Sequence, residues 1–170
     1  MLKIAFTGPE STGKTTLAAQ MAEEFSTIWV PEYAREYLTD LNGPYTQNDV
    51  LEIAETQWET MEFVAKSSLP YVFFDTEMLV LKVWNLYKYG NCPPEIEQRW
   101  RSQEMDLYFL CGTDNAWIDD PLREHPEERD QLFSFYKKEL LISERPFVEL
   151  WGSLEERLEE AMGMVMQMKR

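Results

Sequence analysis

The chain has 170 residues, the size of one ordinary domain, and 44% of them are hydrophobic, which supplies one packed core and argues against compositional disorder. Sixteen basic against 31 acidic residues leave a net charge of −15, which argues against nucleic acid or an anionic membrane as partner. Two distant cysteines, Cys92 and Cys111, cannot make a disulfide scaffold or, with one histidine, a structural zinc site. Reduced thiols, no leader ahead of the first strand-like run and no apolar stretch of membrane-spanning length predict a cytoplasmic protein.

In chain order, Lys3-Ile4-Ala5-Phe6-Thr7 is a short apolar run stopped by Gly8, the pattern of a buried strand. Lys14 to Phe25 follows as a helix, with Leu17, Ala18, Met21, Ala22 and Phe25 at three- and four-residue spacing. Thr27 to Val30 predicts a second strand ended by Pro31, and 32–38 a short helix. Thr46 with Asp49 is a capping-box variant that opens a helix whose expected buried stripe is Leu51, Ala54, Trp58, Met61 and Ala65. Tyr71 to Phe74 predicts a third strand delivering Asp75 at its carboxyl end, followed by a helix from Met78 to about Tyr87. Pro93-Pro94 starts a short polar helix, and Leu107 to Leu110 reads as a fourth strand. Residues 112–128 are polar and aperiodic; 128–140 reads as a helix, Phe147 to Leu150 as a fifth strand, and Ser153 with Glu156 caps a final helix. The alternation predicts an α/β fold, a parallel sheet flanked by helices, with residues 1–170 as a single domain.

Gly8-Pro9-Glu10-Ser11-Thr12-Gly13-Lys14-Thr15 fits G-x-x-x-x-G-K-[ST], with a strand before it and a helix after it. The glycines allow backbone angles and a close approach that a Cβ would block. Successive amides and the helix N-terminus form a concave anion site, Lys14 adds a point charge for the β- and γ-phosphates, and Thr15 offers a hydroxyl to Mg²⁺. Residues 8–16, Thr16 included, are therefore the expected nucleotide-contacting set. Glu10 is unusual because it sets negative charge beside an anion site; it points outward or meets a basic group from a lid.

Asp75 suits either the Mg²⁺ water shell or proton acceptance from a substrate hydroxyl, against the plainer role of a helix N-cap, with Thr76 and Glu77 close by. Glu32, Tyr33, Arg35 and Glu36 lie just past the second strand, at the edge where open α/β sheets bind ligands, and are candidates for the substrate side; a solvated Glu/Arg helix face is the alternative. Arg123 sits in the irregular stretch and suits a mobile lid that neutralises charge during phosphoryl transfer. Arg129 is a secondary candidate within the next helix, and His125 is expected to be a loop residue of no consequence.

These segments together resemble the ribosylnicotinamide kinase domain of the NadR family, a group of small P-loop kinases. The resemblance spans nearly the whole chain and rests on residues 8–17, Glu32-Tyr33-Ala34-Arg35-Glu36-Tyr37, Phe74-Asp75-Thr76-Glu77 and Trp117-Ile118-Asp119-Asp120-Pro121-Leu122-Arg123. It implies a five-stranded P-loop NTPase core with a lid, ATP and Mg²⁺ as cofactors, and transfer of the γ-phosphate to the ribose 5′-hydroxyl of nicotinamide riboside. Lys14, Asp75 and Arg123 would be the catalytic set, and Thr15 with Asp75 the metal-associated pair. Two departures stand out. Pro31 occupies the place of an aromatic in the family pattern, so Trp29, Tyr33 or Tyr87 would have to stack on the pyridine ring, or the substrate differs. The paired histidines of an adenylyltransferase are missing, so no adenylyl transfer is expected. A nucleotide-dependent regulatory ATPase, or a kinase of another nucleoside or small alcohol, is the competing expectation.

Overall fold

The computed structural model describes residues 1–168. Five strands, β1 (Leu2–Thr7), β2 (Ile28–Val30), β3 (Tyr71–Asp75), β4 (Leu107–Cys111) and β5 (Phe147–Leu150), form one sheet in the order β2-β3-β1-β4-β5. Every pairing is parallel, with Ala5 beside Phe74 on one side and beside Tyr108 on the other. The expected five-stranded parallel sheet is thus borne out. Because β1 is central and the chain leaves it first toward β2 and later toward β4, a crevice opens beyond the carboxyl end of β1, where such sheets bind ligands.

Helices α1 (Lys14–Glu24) and α7 (Leu154–Gln167) cover one face; α2 (Tyr33–Leu41), α3 (Gln47–Val64), α4 (Met78–Tyr89), α5 (Pro94–Ser102) and α6 (Arg129–Ile142) cover the other. Alternation along the strands feeds both cores. Ile4, Phe6, Phe73 and Phe109 pack under α1 and α7, while Ala5, Val72, Phe74 and Tyr108 pack under the larger layer. Near-continuous apolar strands are what a sheet buried on both faces requires.

Both capping boxes form, Thr46 with Asp49 at α3 and Ser153 with Glu156 at α7. The stripe of α3 differs from the expected one: Val50, Ile53, Ala54, Gln57 and Met61 are buried, whereas Leu51, Trp58 and Ala65 are only partly covered. The helix is rotated by about one residue because Gln57 is needed inside. Its Oε1 accepts from the Tyr33 amide at 2.9 Å and its Nε2 donates to the Pro31 carbonyl at 3.4 Å, satisfying backbone groups at the entry to α2. Helix α2 also runs on to Leu41, three residues beyond the expected 38, and closes at Asn42 in a left-handed conformation.

Candidate active site at the phosphate loop

The turn from β1 into α1 is built around three residues with positive φ, Gly8, Ser11 and Gly13. Gly8 has φ 124°, and a Cβ there would lie 3.0 Å from the Cys111 carbonyl oxygen on the neighbouring strand. Gly13, with φ 85°, immediately precedes α1. The Thr12 hydroxyl donates to the Pro9 carbonyl at 2.8 Å and tightens the turn. The Lys14 ammonium donates to the carbonyls of Gly8 at 2.9 Å and Pro9 at 2.7 Å, so it is folded over the loop it is to serve.

Beneath the loop lies a cation that the sequence did not flag. The Arg157 side chain comes from α7 and is fully buried. It donates from Nη1 to the Thr12 carbonyl at 2.9 Å and from Nε to the Gly152 carbonyl at 2.9 Å, and it is ion-paired to Asp114. A segment reading Leu-Glu-Glu-Arg-Leu-Glu-Glu looks like a solvated helix face, so only packing reveals that this guanidinium supports the loop from below.

Asp75, at the end of β3, is 1% exposed, and its Oδ2 accepts from the Thr15 hydroxyl at 2.6 Å. Its Oδ1 is buried with no hydrogen-bond partner. Burial raises its pKa, while the Lys14 charge and the Thr15 hydrogen bond pull it back. The N-cap role belongs to Glu77, which accepts from the Leu79 amide at 2.6 Å and also bonds the Thr7 hydroxyl and the Gln103 amide group. Glu77 is therefore a structural carboxylate in the core, and Asp75 is left facing Thr15.

A cavity of about 330 Å³ spreads from the loop over the larger helical layer. Residues 8–16 line one side of it, and Glu32 and Arg35 reach it from α2, whereas Tyr33 and Glu36 do not. Tyr33, half-buried, packs instead against the edge of the core beside Tyr37, and Glu36 is exposed. The Glu32 carboxyl is pushed up to about 7, first by burial and then by the charge of Asp75. Among the aromatics proposed to replace the one missing at Pro31, Tyr87 lines the cavity; Trp29 packs under the other face of the sheet. Tyr45, Trp84 and Tyr136 line it as well, and no motif had pointed to them.

Residues 112–128 form the expected irregular segment and cross above the loop. The Ser11 hydroxyl accepts from the Ile118 amide at 2.9 Å and from Arg123 Nη1 at 3.4 Å. Arg129 contributes more than expected of a secondary candidate: it donates to the Ser11 carbonyl at 3.2 Å and lies 5.7 Å from the Trp117 ring centre. Arg35 pairs with Asp120 at 2.9 Å, joining α2 to the same segment. His125 is not an idle loop residue, since its ring meets Tyr87 edge-on at 5.0 Å on the cavity wall. Glu10 takes neither of the expected positions: its carboxylate accepts backbone amides of the lid rather than a basic side chain.

The pair of oxygens from Thr15 and Asp75 fits a hard divalent cation such as Mg²⁺, and the unpartnered Oδ1 of Asp75 leaves a carboxylate oxygen for its water shell. Among the described residues, no group of three or more His, Cys, Asp or Glu side chains is arranged to hold a metal ion, so such an ion would draw its other ligands from phosphate and water. Among those residues no helix is long and apolar enough to cross a membrane.

Curated relatives include the trifunctional NAD biosynthesis/regulator proteins NadR of Salmonella typhimurium and Escherichia coli. Each is 27% identical over 126 residues, covering 71% of this chain and 30% of the relative. The chain therefore spans under a third of their length. A crystal structure of NadR protein in complex with NR superposes with a TM-score of 0.82 at 24% identity, covering 98% of this chain and 51% of that one. Thymidylate kinase from Ehrlichia chaffeensis, at 16% identity, and deoxyadenosine kinase from M. mycoides, at 14%, each give a TM-score of 0.70 and are covered over 98% and 100% of their own length. At such identities these structures speak to the fold, and that fold is the P-loop kinase fold. The NadR-like character read from the sequence motifs is borne out by both comparisons. Residues 3–157 match the family described as AAA domain, and the chain belongs to that family.

Proposed function

We propose that the chain is an ATP- and Mg²⁺-dependent kinase that phosphorylates a hydroxyl of a nucleoside, with the ribose 5′-hydroxyl of nicotinamide riboside as first choice. The observation that carries this reading is one cavity bounded by the phosphate loop, the Glu32 carboxylate and an aromatic wall, with Arg123 above it. A nucleotide hydrolase needs, beside its nucleotide, room only for water, whereas this cavity runs on from the loop to Tyr45, Trp84 and Tyr87. The 27% identity to two NadR proteins supports the choice of acceptor. We read residues 1–170 as one kinase-like domain, and we assign its action to the cytoplasm in keeping with two free thiols.

In this reading the loop amides and Lys14 would hold the phosphates, and Thr15 and Asp75 would hold the metal ion. Mg²⁺, when bound, neutralises charge on the β- and γ-phosphoryl oxygens. Arg123 moves from Ser11 onto the transferring group, and the lid keeps water out. Glu32 takes the proton of the attacking hydroxyl. It suits this better than Asp75 because its carboxylate is not used as the cap of α2, while Asp75 is committed to Thr15. Its elevated pKa puts it within reach of neutral pH as a base. Tyr87, Tyr45 and Trp84 supply flat surface for the acceptor ring.

Phosphorus NMR of the protein with Mg-ATP and nicotinamide riboside, deoxyadenosine or thymidylate tests this. A new phosphate ester formed in step with ADP is expected for nicotinamide riboside. Pro31, and the likeness to two other kinases in fold, favour a second reading with a different nucleoside or nucleotide acceptor. ADP formation indifferent to every acceptor would instead mark a regulatory ATPase.

A further inference from the structure

A glutamate inside a phosphate loop opposes the anion the loop is built to hold, so Glu10 calls for a different task. Its Oε2 accepts from the backbone amides of Glu124 at 3.0 Å and His125 at 3.3 Å. The side chain of Glu124 points the other way. It accepts from the Tyr45 hydroxyl at 2.8 Å and from the Lys88 ammonium at 2.8 and 3.0 Å. Tyr45 in turn accepts from the Trp84 indole at 3.0 Å, and the Lys88 ammonium sits 3.8 Å from the centre of the Tyr45 ring. Glu10, Glu124, Tyr45 and Trp84 all line the same cavity. One lid residue is thus fastened by its backbone to the donor loop and by its side chain to the acceptor wall.

The Glu124 side chain is 37% exposed, and an ion pair so accessible adds little to the stability of a fold. Its value lies in what it joins. We propose that Glu10 and Glu124 are positioning residues that form a strap across the cleft, coupling occupancy of the acceptor cavity to closure of the lid over the phosphate loop. This rests on the kinase reading above. An acceptor packed against Tyr45 and Trp84 fixes the wall that holds Glu124. Glu124 then presents its amide to Glu10, and Arg123, its neighbour in the chain, is carried over the loop. Without an acceptor that wall lacks those added contacts, so the connection is looser and closure, with the hydrolysis that follows from it, is less favoured. Glu10 serves this purpose at the cost of some repulsion toward phosphate.

The test is calorimetric titration of Mg-AMP-PNP into wild type, E10A, E124A and the double variant, each with and without a saturating acceptor. The acceptor is whichever of nicotinamide riboside, deoxyadenosine and thymidylate the wild type phosphorylates. Wild type should bind the nucleotide on the order of fivefold more tightly when the acceptor is present. Each single variant should lose that enhancement, and the double variant should lose no more than either single one, because both belong to one connection. In turnover, E124A should form less phosphorylated acceptor per ADP while its melting temperature stays within a few degrees of wild type. Enhancement that persists in E124A, or that is absent from wild type, overturns the strap and leaves the kinase reading standing. A wild type that phosphorylates none of the three acceptors overturns both.

Discussion

The phosphate loop and the lid meet at Ser11, yet they are held by different means. The loop is set mainly by its own residues, with Arg157 as one distant support under Thr12: Gly8 and Gly13 take backbone angles that other residues avoid, and Thr12 and Lys14 bond carbonyls at most six positions away. The lid has no regular structure, and bonds that cross more than a hundred residues of chain fasten it, from Ile118, Glu124 and His125 to Ser11 and Glu10. A cradle for an anion can be written locally. A cover for it has to be assembled, and its bonds are mostly near the surface, where they open at small cost.

That contrast can be broken by substitution. The largest effect is expected for Lys14→Ala, which should lower kcat/KM on the order of 10³-fold with melting temperature nearly unchanged. Lost folding in the variant would mean that the bonds to Gly8 and Pro9 hold the core together rather than the ligand. Arg123→Ala should come close behind, approaching 10³-fold in kcat, again with little change in stability. If its melting temperature fell strongly, the lid would be a fixed part of the fold and the comparison would fail. Arg157→Leu should do the reverse. Removing a fully buried guanidinium breaks its ion pair with Asp114 and strands the Thr12 and Gly152 carbonyls, at about 3 kcal/mol, or roughly 9 °C in Tm. Activity and Tm both unchanged would show that the loop needs no support from below.

Glu32→Gln sharpens the chemistry with the smallest expected effect, about 10²-fold in kcat. In wild type the rate should climb through about pH 7 as the carboxyl ionises, and the variant should lose that limb. Stability carries the opposite sign. Because the folded pKa is raised above its ordinary 4.5, the charged form is penalised in the fold, so wild-type stability is lost as pH rises toward 7. Thermal melting should find Glu32→Gln a few degrees more stable than wild type at about pH 8, with the difference closing as pH falls toward 4.5. A pH-independent difference would remove Glu32 from the role of base.

How far the sequence could be read tracks the range of the interactions involved. The strand–loop–helix from Leu2 to Glu24, the capping boxes at Thr46 and Ser153, and Asp75 at the end of an apolar strand depend on neighbours within a few residues, and all were legible. The face of α3 was misjudged because Trp58 and Leu51 are more apolar than Gln57, while burial of Gln57 is decided by the backbone groups of Pro31 and Tyr33. Tyr33 was taken for the substrate side because it lies just past the second strand, but one residue along a helix turns a side chain by about 100°, enough to point it away from Glu32 and against the core.

By itself, the sequence determined a parallel α/β sheet and an anion cradle at the end of β1, because apolar periodicity and glycine backbone angles act over a few residues. Only the tertiary structure decided that Arg157 lies under the loop, that Glu10 faces lid amides, that Asp75 rather than Glu77 meets Thr15, and which aromatics wall the cavity. Each of these is a bond or contact between segments distant in the chain. Its partners are chosen by how the helices pack on the sheet, and no local pattern of residues records that choice.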